Sequence, residues 1–522
     1  MKAGKPRSLR NAVFGHAASP LGAVVGVLGL SLVTTTASAQ AMYRIKPLGY
    51  LGGCISAPIA NGFNDKGQVT GEACNANGDW HAFVWKNDGT PMVDLGPAEV
   101  GSSSIGYAIN AFGLVAGTAT DSTGTYGFVS SGNGAPPKKI VNTLGGADTF
   151  ARDVNDSGQV TGSARLDAGY SHAFVWKAGT PMLDLGALDN EGYPDAGGRA
   201  INNAGQVAGT AGDLTGGFRA FIWKNDGTPL LDLGSLGGYR TFACCINASG
   251  QVAGNSSVSS AAHPHAFLWR NNGTRMVDLG TLARGSLSGA NALNDSGQVA
   301  GWSYTYFYKR PHGFVWLNDG TPMKDLGTLG GTTSNAADIN ASGQVTGSAK
   351  LTGDTVEHAF IWRNDGTKIQ DLNKLIDPLD PLRGYVTLTG GRFINASGDI
   401  LATGTDKRKG DGLFLLKGTV LTLSPRSIAF GEQKVGTTST VRLVTVTNTS
   451  ADSVPITSVA LAGTGAGQFA FTNGCGKSLA GKSQCVIKLT FRPTSKGSKT
   501  ATLNVNGGGG GLRSVRLSGT GV

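Results

Sequence analysis

Long helical patterns, membrane-length apolar runs and charged side chains are all scarce in this sequence. Only 15% of the 522 residues are charged, whereas glycine alone accounts for 82 of them. No extended run has the 3.6-residue apolar period of an amphipathic helix, which argues against a helical fold. After residue 39, no apolar run approaches the roughly 20 residues that a membrane-spanning helix needs. These shortages favour an all-β chain that does not insert into a membrane once its leader is removed.

Signatures of common catalytic and metal sites are missing too. The sequence has no Gly-x-Ser-x-Gly, His-Glu-x-x-His or Cys-x-x-Cys motif, and its Asn-Asp-Gly turns lack the dense carboxylates that calcium requires. A literal phosphate-loop match at residues 476–483 lies between two cysteines in a strand-rich stretch, whereas that motif works on a strand-loop-helix turn. We therefore predict no catalytic residue, metal or cofactor, and leave enzymatic activity open.

Residues 1–39 have the composition of a secretory signal. Four basic residues precede an apolar run at residues 23–33, and Ala37-Ser38-Ala39 provides a small-residue cleavage site. An uncleaved membrane anchor is the alternative, although the apolar run is shorter than a membrane span. We expect a secreted, periplasmic or cell-surface protein.

Six cysteines fit an oxidising compartment. Connectivity does not follow from sequence alone, but proximity suggests the pairs Cys54–Cys74 and Cys475–Cys485. The adjacent cysteines at 244–245 are either free thiols or a vicinal bridge.

An eightfold repeat organises most of the chain. The motif Asn-x-x-Gly-x-Val-x-Gly recurs at steps of 45 to 47 residues, with a final step of 55 to a looser copy. Its copies begin at Asn64, Asn110, Asn155, Asn202, Asn247, Asn294, Asn340 and Asn395. This period is what a four-stranded propeller blade requires.

A second motif, typified by His-Ala-Phe-Val-Trp at residues 81–85, precedes an Asn-Asp-Gly-Thr turn and an Asp-Leu-Gly strand. Both faces of this motif are apolar under strand alternation, so it must be covered on both sides, as between neighbouring blades. Its repeated histidine cannot serve one metal ion, because rotation about the ring axis separates the copies. Each unit is predicted to form four strands, A to D, and residues 40–419 an eight-bladed β-propeller. Seven blades plus an irregular element is the alternative.

The last unit lacks a convincing D strand, and residues 42–49 resemble one. Pairing them with the strand at residues 412–416 would close the ring without leaving an open edge.

The strand order predicts two different ends for the ring. Short, uniform A–B and C–D turns lie at one end, and variable B–C and D–A loops lie at the other, where a rigid scaffold can present binding residues. The most distinctive loop offers Tyr304, Tyr306, Tyr308, Lys309 and Arg310 for stacking on a sugar or contacting a protein. The alternative is that these side chains pack over the next blade.

A further candidate site lies three residues before each motif Asn. The residues there are Asn61, Tyr107, Arg152, Arg199, Cys244, Asn291, Ala337 and Arg392. Arg152, Arg199 and Arg392 near a common axis would favour an anionic ligand. Alternatively, each arginine pairs within its own blade, with acids such as Asp153.

The net charge of +10 is unevenly distributed. Residues 420–522 carry 11 Lys and Arg against two acids, and the leader carries four basic residues. The body between them has 29 basic and 32 acidic residues, a net charge of −3, which is unlike a nucleic-acid binder. The basic tail either has a solvated surface or is attracted to an anionic envelope polymer. Its short alternating strands predict an immunoglobulin-like β-sandwich.

The repeats at residues 41–419 resemble the HAF-type extracellular repeat of bacterial secreted proteins, which implies export but no known activity. The tail, with Ala-Phe-Gly at 429–431, Phe-Arg-Pro at 491–493 and Leu-Ser-Gly at 517–519, resembles the choice-of-anchor D or hydin-like immunoglobulin-type domain. We expect an exported, non-catalytic binding protein of the bacterial cell exterior that recognises a glycan or a protein. A secreted polysaccharide hydrolase or lyase, and a structural spacer in an envelope or matrix, are the alternatives.

Overall fold

The structure, a computed structural model, describes the chain from residue 43 onward with short gaps. The described residues are 43–52, 54, 56–97, 99–188, 195–213, 216–259, 263–283, 285–305, 310–378, 380–418, 421–449, 453–456, 458–506 and 512–522. The predicted secretory signal lies outside these residues, as do Tyr306, Tyr308 and Lys309 of the predicted ligand loop.

Eight antiparallel sheets of four strands form the blades of a β-propeller. Blade 1 contains β2 (Ile59–Phe63), β3 (Val69–Cys74), β4 (Trp80–Trp85) and β5 (Val93–Asp94). Blade 2 contains β6 (Ser103–Ile109), β7 (Val115–Asp121), β8 (Gly124–Ser130) and β9 (Lys138–Ile140). Blade 3 contains β10 (Gly145–Val154), β11 (Gln159–Leu166), β12 (Ser171–Lys177) and β13 (Leu183–Gly186). Blade 4 contains β14 (Ala196–Ile201), β15 (Val207–Gly212), β16 (Phe218–Trp223) and β17 (Leu231–Asp232).

The second half of the ring repeats this order. Blade 5 contains β18 (Thr241–Ile246), β19 (Val252–Ser257), β20 (Pro264–Trp269) and β21 (Val277–Asp278). Blade 6 contains β22 (Ser288–Leu293), β23 (Val299–Tyr304), β24 (Pro311–Trp316) and β25 (Lys324–Gly327). Blade 7 contains β26 (Gly330–Ile339), β27 (Val345–Leu351), β28 (Glu357–Trp362) and β29 (Gln370–Asp371). Blade 8 contains β30 (Val386–Ile394), β31 (Ile400–Asp406), β32 (Gly410–Gly418) and β1 (Tyr43–Pro47).

The first described strand thus completes the last blade. β1 runs antiparallel to β32, with Tyr43 opposite Gly418 and Ile45 opposite Leu416. The predicted eight-bladed ring is confirmed, and the seven-bladed alternative is wrong. A ring closed in this way ties two parts of the chain that are remote in sequence into one sheet.

Ile376, Asp377 and Asp380, which we call the clasp, cover the free edge of β1. The backbone N–H of Asp377 donates to the Tyr43 carbonyl at 2.8 Å. The buried carboxylate of Asp380 accepts a hydrogen bond from the Ile45 N–H at 2.7 Å. The outermost strand of blade 8 therefore presents bonded rather than open backbone groups at these positions, which removes a template for unwanted strand pairing.

The Asn of each repeat motif joins its blade to the next one. Nδ2 of Asn64 donates to the backbone carbonyl of Asn110, and each following Asn repeats this contact as far as Asn340, at 2.8 to 3.1 Å. Asn395 closes the circuit by donating to the Asp65 carbonyl at 3.4 Å. The same side chains accept hydrogen bonds from backbone N–H groups of their own A–B turns. We call this circuit the Asn ring; it explains why the residue recurs in every blade.

The second motif joins strands C and D within a blade. Its histidine bonds through Nδ1 to the aspartate of the Asp-Leu-Gly strand at about 2.9 to 3.0 Å. The pairs are His81–Asp94, His172–Asp184, His265–Asp278, His312–Asp325 and His358–Asp371. Blade 4 has Arg219 instead, which pairs with Asp213 at 2.9 Å. The motif Phe and Trp side chains are buried, as the apolar character of both strand faces predicts.

The Asn of the C–D turn shows which turns share an end of the ring. Asn87 adopts a left-handed backbone conformation at φ 60°, and its Nδ2 donates to the Lys66 carbonyl in the A–B turn at 3.1 Å. Asn225, Asn271 and Asn318 make the equivalent contact. These turns therefore lie together at one end, which we call the turn end. Because the strands are antiparallel, the B–C and D–A connections lie at the other end, which we call the loop end.

The remaining strands form an immunoglobulin-like sandwich of two four-stranded sheets. One sheet has the order β33 (Leu421–Ser424), β35 (Arg442–Asn448), β40 (Gln484–Phe491) and β38 (Phe469–Asn473). The other has the order β34 (Ser427–Gln433), β42 (Leu512–Gly521), β41 (Gly497–Asn506) and β37 (Ser458–Ala462). A two-stranded sheet pairs β36 (Val454–Pro455) with β39 (Ser478–Leu479). Two short 3-10 helices span Leu372–Leu375 and Ala466–Gln468.

A half-buried arginine connects the sandwich to the clasp. Arg513 on β42 donates to the Leu421 carbonyl at 2.8 Å and lies 3.4 Å from the Asp377 carboxylate. Arg44 of β1 reaches the same carboxylate, also at 3.4 Å. Burial lowers the pKa of Arg513 to about 10. Asp377 thereby serves both the closure of the ring and the junction with the sandwich.

Three disulfides join the six cysteines. Two of them, Cys54–Cys74 and Cys475–Cys485, are the predicted pairs. The third joins the neighbours Cys244 and Cys245, so these residues form the vicinal bridge and are not free thiols. Disulfides indicate an oxidising environment. Along the described parts of the chain, no helix has the length and apolar character needed to cross a membrane.

Candidate ligand-binding site

The inner strands of the blades line two cavities, and Phe63 and Ile109 contribute to both of them. The residues before seven of the eight motif Asn residues form an apolar collar in the first cavity: Phe63, Ile109, Val154, Ile201, Ile246, Leu293 and Ile339. Toward the turn end, this cavity of about 440 Å³ is also lined by six members of the Asn ring, all except Asn340 and Asn395, together with Asp65, Asp156 and Asp295. Toward the loop end lies a second cavity of about 510 Å³, which we call the axial cavity.

The axial cavity gathers residues from the position three places before the motif Asn. Asn61, Tyr107, Arg152, Arg199 and Cys244 all line it. The guanidinium carbon of Arg152 lies 4.4 Å from the centroid of the Tyr107 ring, a stacked cation–π arrangement. Within the described chain, the ion pairs of arginine side chains involve neither Arg152 nor Arg199. Two cationic groups therefore face one cavity, and neither forms an ion pair with a carboxylate in the part of the chain that the structure describes.

The third arginine of the predicted set lies elsewhere. Arg392 is exposed and does not line the axial cavity, whereas its neighbour Phe393 does. The register shift that brackets Arg392 in β30 also brackets Arg152 and Arg199 in their strands, so the three arginines share one strand position. The structure brings Arg152 and Arg199 together and leaves Arg392 outside.

One carboxylate, that of Asp153, also lines the cavity, but its bonds go to the backbone. It accepts hydrogen bonds from the N–H groups of Val154 and of Ile201 in the next blade, both at 2.8 Å. Burial raises the pKa of Asp153 to about 6, against the opposing effect of those hydrogen bonds. Asp338 occupies the equivalent place in blade 7, and burial likewise raises its pKa to about 6. Each carboxylate therefore links the inner strands of two neighbouring blades through hydrogen bonds.

Raising the pH from about 4.5 to about 7.5 is expected to lower the free energy of unfolding through Asp153 and Asp338. Their folded-state pKa of about 6 exceeds the ordinary 3.8. Their stabilising contribution is therefore complete below the unfolded pKa and is lost as the pH rises through 6. Because both side chains are half-buried, solvent screens part of the effect, and we expect about 1–2 kcal/mol for each.

Denaturant titrations at the two pH values check this expectation. The matched control is the double variant Asp153→Asn/Asp338→Asn, in which neither side chain titrates. The pH-dependent loss should shrink in the double variant. An equal loss in both proteins would show that these two carboxyls do not carry it.

The predicted aromatic loop of blade 6 is described only at its two ends. Tyr304 ends β23, and its ring meets the ring of Trp302 edge-on with centroids 5.8 Å apart. The backbone carbonyl of Arg310 accepts hydrogen bonds from the N–H and hydroxyl of Thr305 at 3.1 and 3.0 Å, and its side chain is exposed. Neither Tyr304 nor Arg310 lines the axial cavity.

A second aromatic group at the loop end escaped the sequence reasoning. Phe218 and Phe242 lie with ring centroids 5.6 Å apart and are each 41% exposed. Tyr239, which is 57% exposed, accepts a hydrogen bond at its backbone carbonyl from the Phe218 N–H at 3.0 Å. We call these three residues the aromatic cluster. Two features of the sequence could have found the cluster. Phe218 comes immediately before the Arg-Ala-Phe-Ile-Trp motif of blade 4, and Phe242 lies near the start of the next inner strand.

In blade 1, a serine, a histidine and an aspartate contact one another in the arrangement of the catalytic triad of a serine hydrolase. Ser102 Oγ lies 3.2 Å from His81 Nε2, and His81 Nδ1 lies 2.9 Å from Asp94. The Ser102 residue is only 5% exposed, however, and its hydroxyl donates to the Glu99 carbonyl at 2.6 Å. Since the same His–Asp pair recurs in four other blades as a link between strands, we assign this group a structural role.

No curated protein matches the chain. Among solved structures, the β-propeller domain of the trilobed protease from Pyrococcus furiosus is 13% identical, with a TM-score of 0.37, and the match covers 66% of this chain and all of that domain. A puromycin hydrolase is 14% identical with a TM-score of 0.39, covering 69% of this chain and 61% of the hydrolase.

The sandwich is similar to a PapD-like domain of human CEP192, at 14% identity and a TM-score of 0.15, over 20% of this chain and 86% of that domain. Residues 419–515 match the family model of the ASH domain, described as abnormal spindle-like microcephaly-associated, ASPM-SPD-2-Hydin. The sandwich is therefore an ASH-type domain, which confirms the hydin-like resemblance of the tail.

Proposed function

We propose that this protein is an exported, non-catalytic binding protein of the bacterial cell exterior. Its propeller, residues 40–419, would hold a glycan or a protein at the loop end, and its ASH-type domain, residues 420–522, would serve as a protein-interaction module. The resemblance of the repeats to HAF-type extracellular repeats supports export. The three disulfides are consistent with that location.

The unequal distribution of exposed apolar side chains between the two ends carries this proposal. Among the large exposed apolar residues described in the propeller, Phe112 lies at the turn end, and Leu183 and Leu231 lie on outer strands. The others lie at the loop end: Ile59, Val100, Val141, Tyr170, Phe218, Tyr239, Phe242, Val356 and Tyr385. Clustered exposed aromatic residues mark interaction surfaces, whereas isolated ones do not.

A glycan and envelope-polymer binding array on the purified protein tests the proposal. The triple variant Phe218→Ala/Tyr239→Ala/Phe242→Ala is expected to weaken binding about tenfold or more, because aromatic anchors dominate such surfaces. Replacement of residues 304–310 by Gly and Ser should also weaken it. The matched control is Phe112→Ala, an exposed aromatic residue at the turn end, which should bind like the unaltered protein. Unchanged binding by the triple variant and by the loop replacement would refute the loop-end assignment.

A secreted polysaccharide lyase is the second candidate function, and one observation favours it. Tyr107 and Arg152 meet on the ring axis, and a tyrosine with an arginine can serve proton transfer and charge stabilisation. Incubation with acidic polysaccharides should then release unsaturated products, detected by absorbance, and Tyr107→Phe should abolish their release. Binding without product formation would favour the non-catalytic function.

A further inference from the structure

We infer that the axial cavity binds an acidic sugar, that is, a hydroxylated ring carrying one carboxylate. The inference rests on the proposed binding function and assigns a ligand class to one part of the loop end. The cavity volume of about 510 Å³ is within the range of small-molecule sites, which is roughly 300 to 1,000 Å³.

The charge of the cavity favours an anion. Arg152 and Arg199 contribute two guanidinium groups, each able to bind a carboxylate through two parallel hydrogen bonds. Asp153 is the acidic residue among those that line the cavity, and its oxygens already accept hydrogen bonds from Val154 and Ile201. The lining is therefore cationic by one charge, with the arginines free of ion pairs in the described chain.

The walls favour a ring over a bare anion such as sulfate. Phe63 and Phe393 line the cavity with ring centroids 6.5 Å apart, and the Tyr107 ring lies beneath Arg152. Aromatic faces accept the C–H faces of a sugar ring, whereas a small inorganic anion would leave these apolar walls uncovered. Asn61 adds a polar group: its Nδ2 donates to the Gly106 carbonyl at 3.2 Å, and its Oδ1 points to no described donor and can accept from a hydroxyl.

The disulfide between Cys244 and Cys245 fits a lining role. A bridge between adjacent residues closes no loop of chain, so it restricts the unfolded state very little and contributes little as a cross-link. Cys244 lines the axial cavity and is half-buried. The bridge replaces two polar thiols by one polarisable apolar surface at the cavity wall.

Isothermal titration of the purified protein with glucuronate and galacturonate, including their short oligosaccharides, tests the inference. The controls are the neutral sugars glucose and galactose, and sodium sulfate. We expect at least one acidic sugar to bind, with the matching neutral sugar and sulfate each at least tenfold weaker. Arg152→Gln and Arg199→Gln should each weaken acidic-sugar binding tenfold or more, because a hydrogen bond to a charged group is lost. Arg275→Gln, the same change at an exposed turn-end position, should have no effect.

Several outcomes would overturn the inference. These are no binding of any acidic sugar, equal binding of neutral sugars, sulfate binding as tight as that of the acidic sugars, or unchanged binding in both Arg152→Gln and Arg199→Gln. The proposed function is tested separately. If the array still detects a ligand whose binding depends on the aromatic cluster, the inference about the axial cavity falls while the proposed function stands.

Discussion

Replacing Phe267 by alanine is expected to lower the free energy of unfolding by about 3–5 kcal/mol, the range for deleting a large buried ring. Phe267 is fully buried, and it packs with Ile222, Val252 and Trp269 in the cluster between blades 4 and 5. The cavity left behind cannot collapse easily, because rigid strands of two blades form its walls. Denaturant-induced unfolding followed by tryptophan fluorescence measures the loss.

The chain offers a matched control for this change. Phe112→Ala removes the same ring from a residue that is 74% exposed, and its effect should stay within about 0.5 kcal/mol. Equal losses for the two variants would contradict the arrangement in which strand C of one blade fills the space against its neighbour.

Replacing Ile45 by proline is expected to cost about 3 kcal/mol or more. Proline has no N–H, so the buried Asp380 carboxylate would lose its hydrogen bond from residue 45 and keep the one from the Leu382 N–H. The buried Ile45 side chain, which packs with Leu388 and Leu416, would be lost as well. The variant should melt at a lower temperature, because β1 then loses part of its cover by the clasp.

Ile45→Val is the matched control for the closure. It keeps the backbone donor and most of the apolar surface, so it should cost only about 0.5–1.5 kcal/mol. A proline variant as stable as the valine variant would mean that the hydrogen bond from Ile45 to Asp380 does not hold β1 in place.

The blade count and its closure followed from sequence because they depend on a repeating pattern. The spacing of the motif Asn residues fixes the number of units, and a missing D strand in the last unit must be supplied from elsewhere. The confirmed pairs Cys54–Cys74 and Cys475–Cys485 lie close in sequence, so proximity sufficed for them.

The finer features depend on contacts between residues that no local pattern connects. The bond from Ile45 to Asp380 joins residues 335 positions apart, so the clasp could not be read from either segment. Part of the candidate site could be predicted from the sequence. Counting back from the motif Asn found Arg152 and Arg199, whereas Arg392, at the same bulged position of its strand, does not line the axial cavity, a difference that the spacing does not encode. The aromatic cluster was missed because its members come from two blades.

Oxidative cross-linking of Arg44→Cys with Lys417→Cys tests the closure of the ring most directly. These residues are directly opposite in the β1–β32 pair, where Cα atoms lie about 4.5–5.5 Å apart, a separation that a disulfide spans. Lys46→Cys with Lys417→Cys is the control, since that pair is offset by two residues at about 7–8 Å. Mass spectrometry should find the linked peptides in the first variant and not in the second. Failure of residues 44 and 417 to link would mean that the two ends of the propeller do not share a blade.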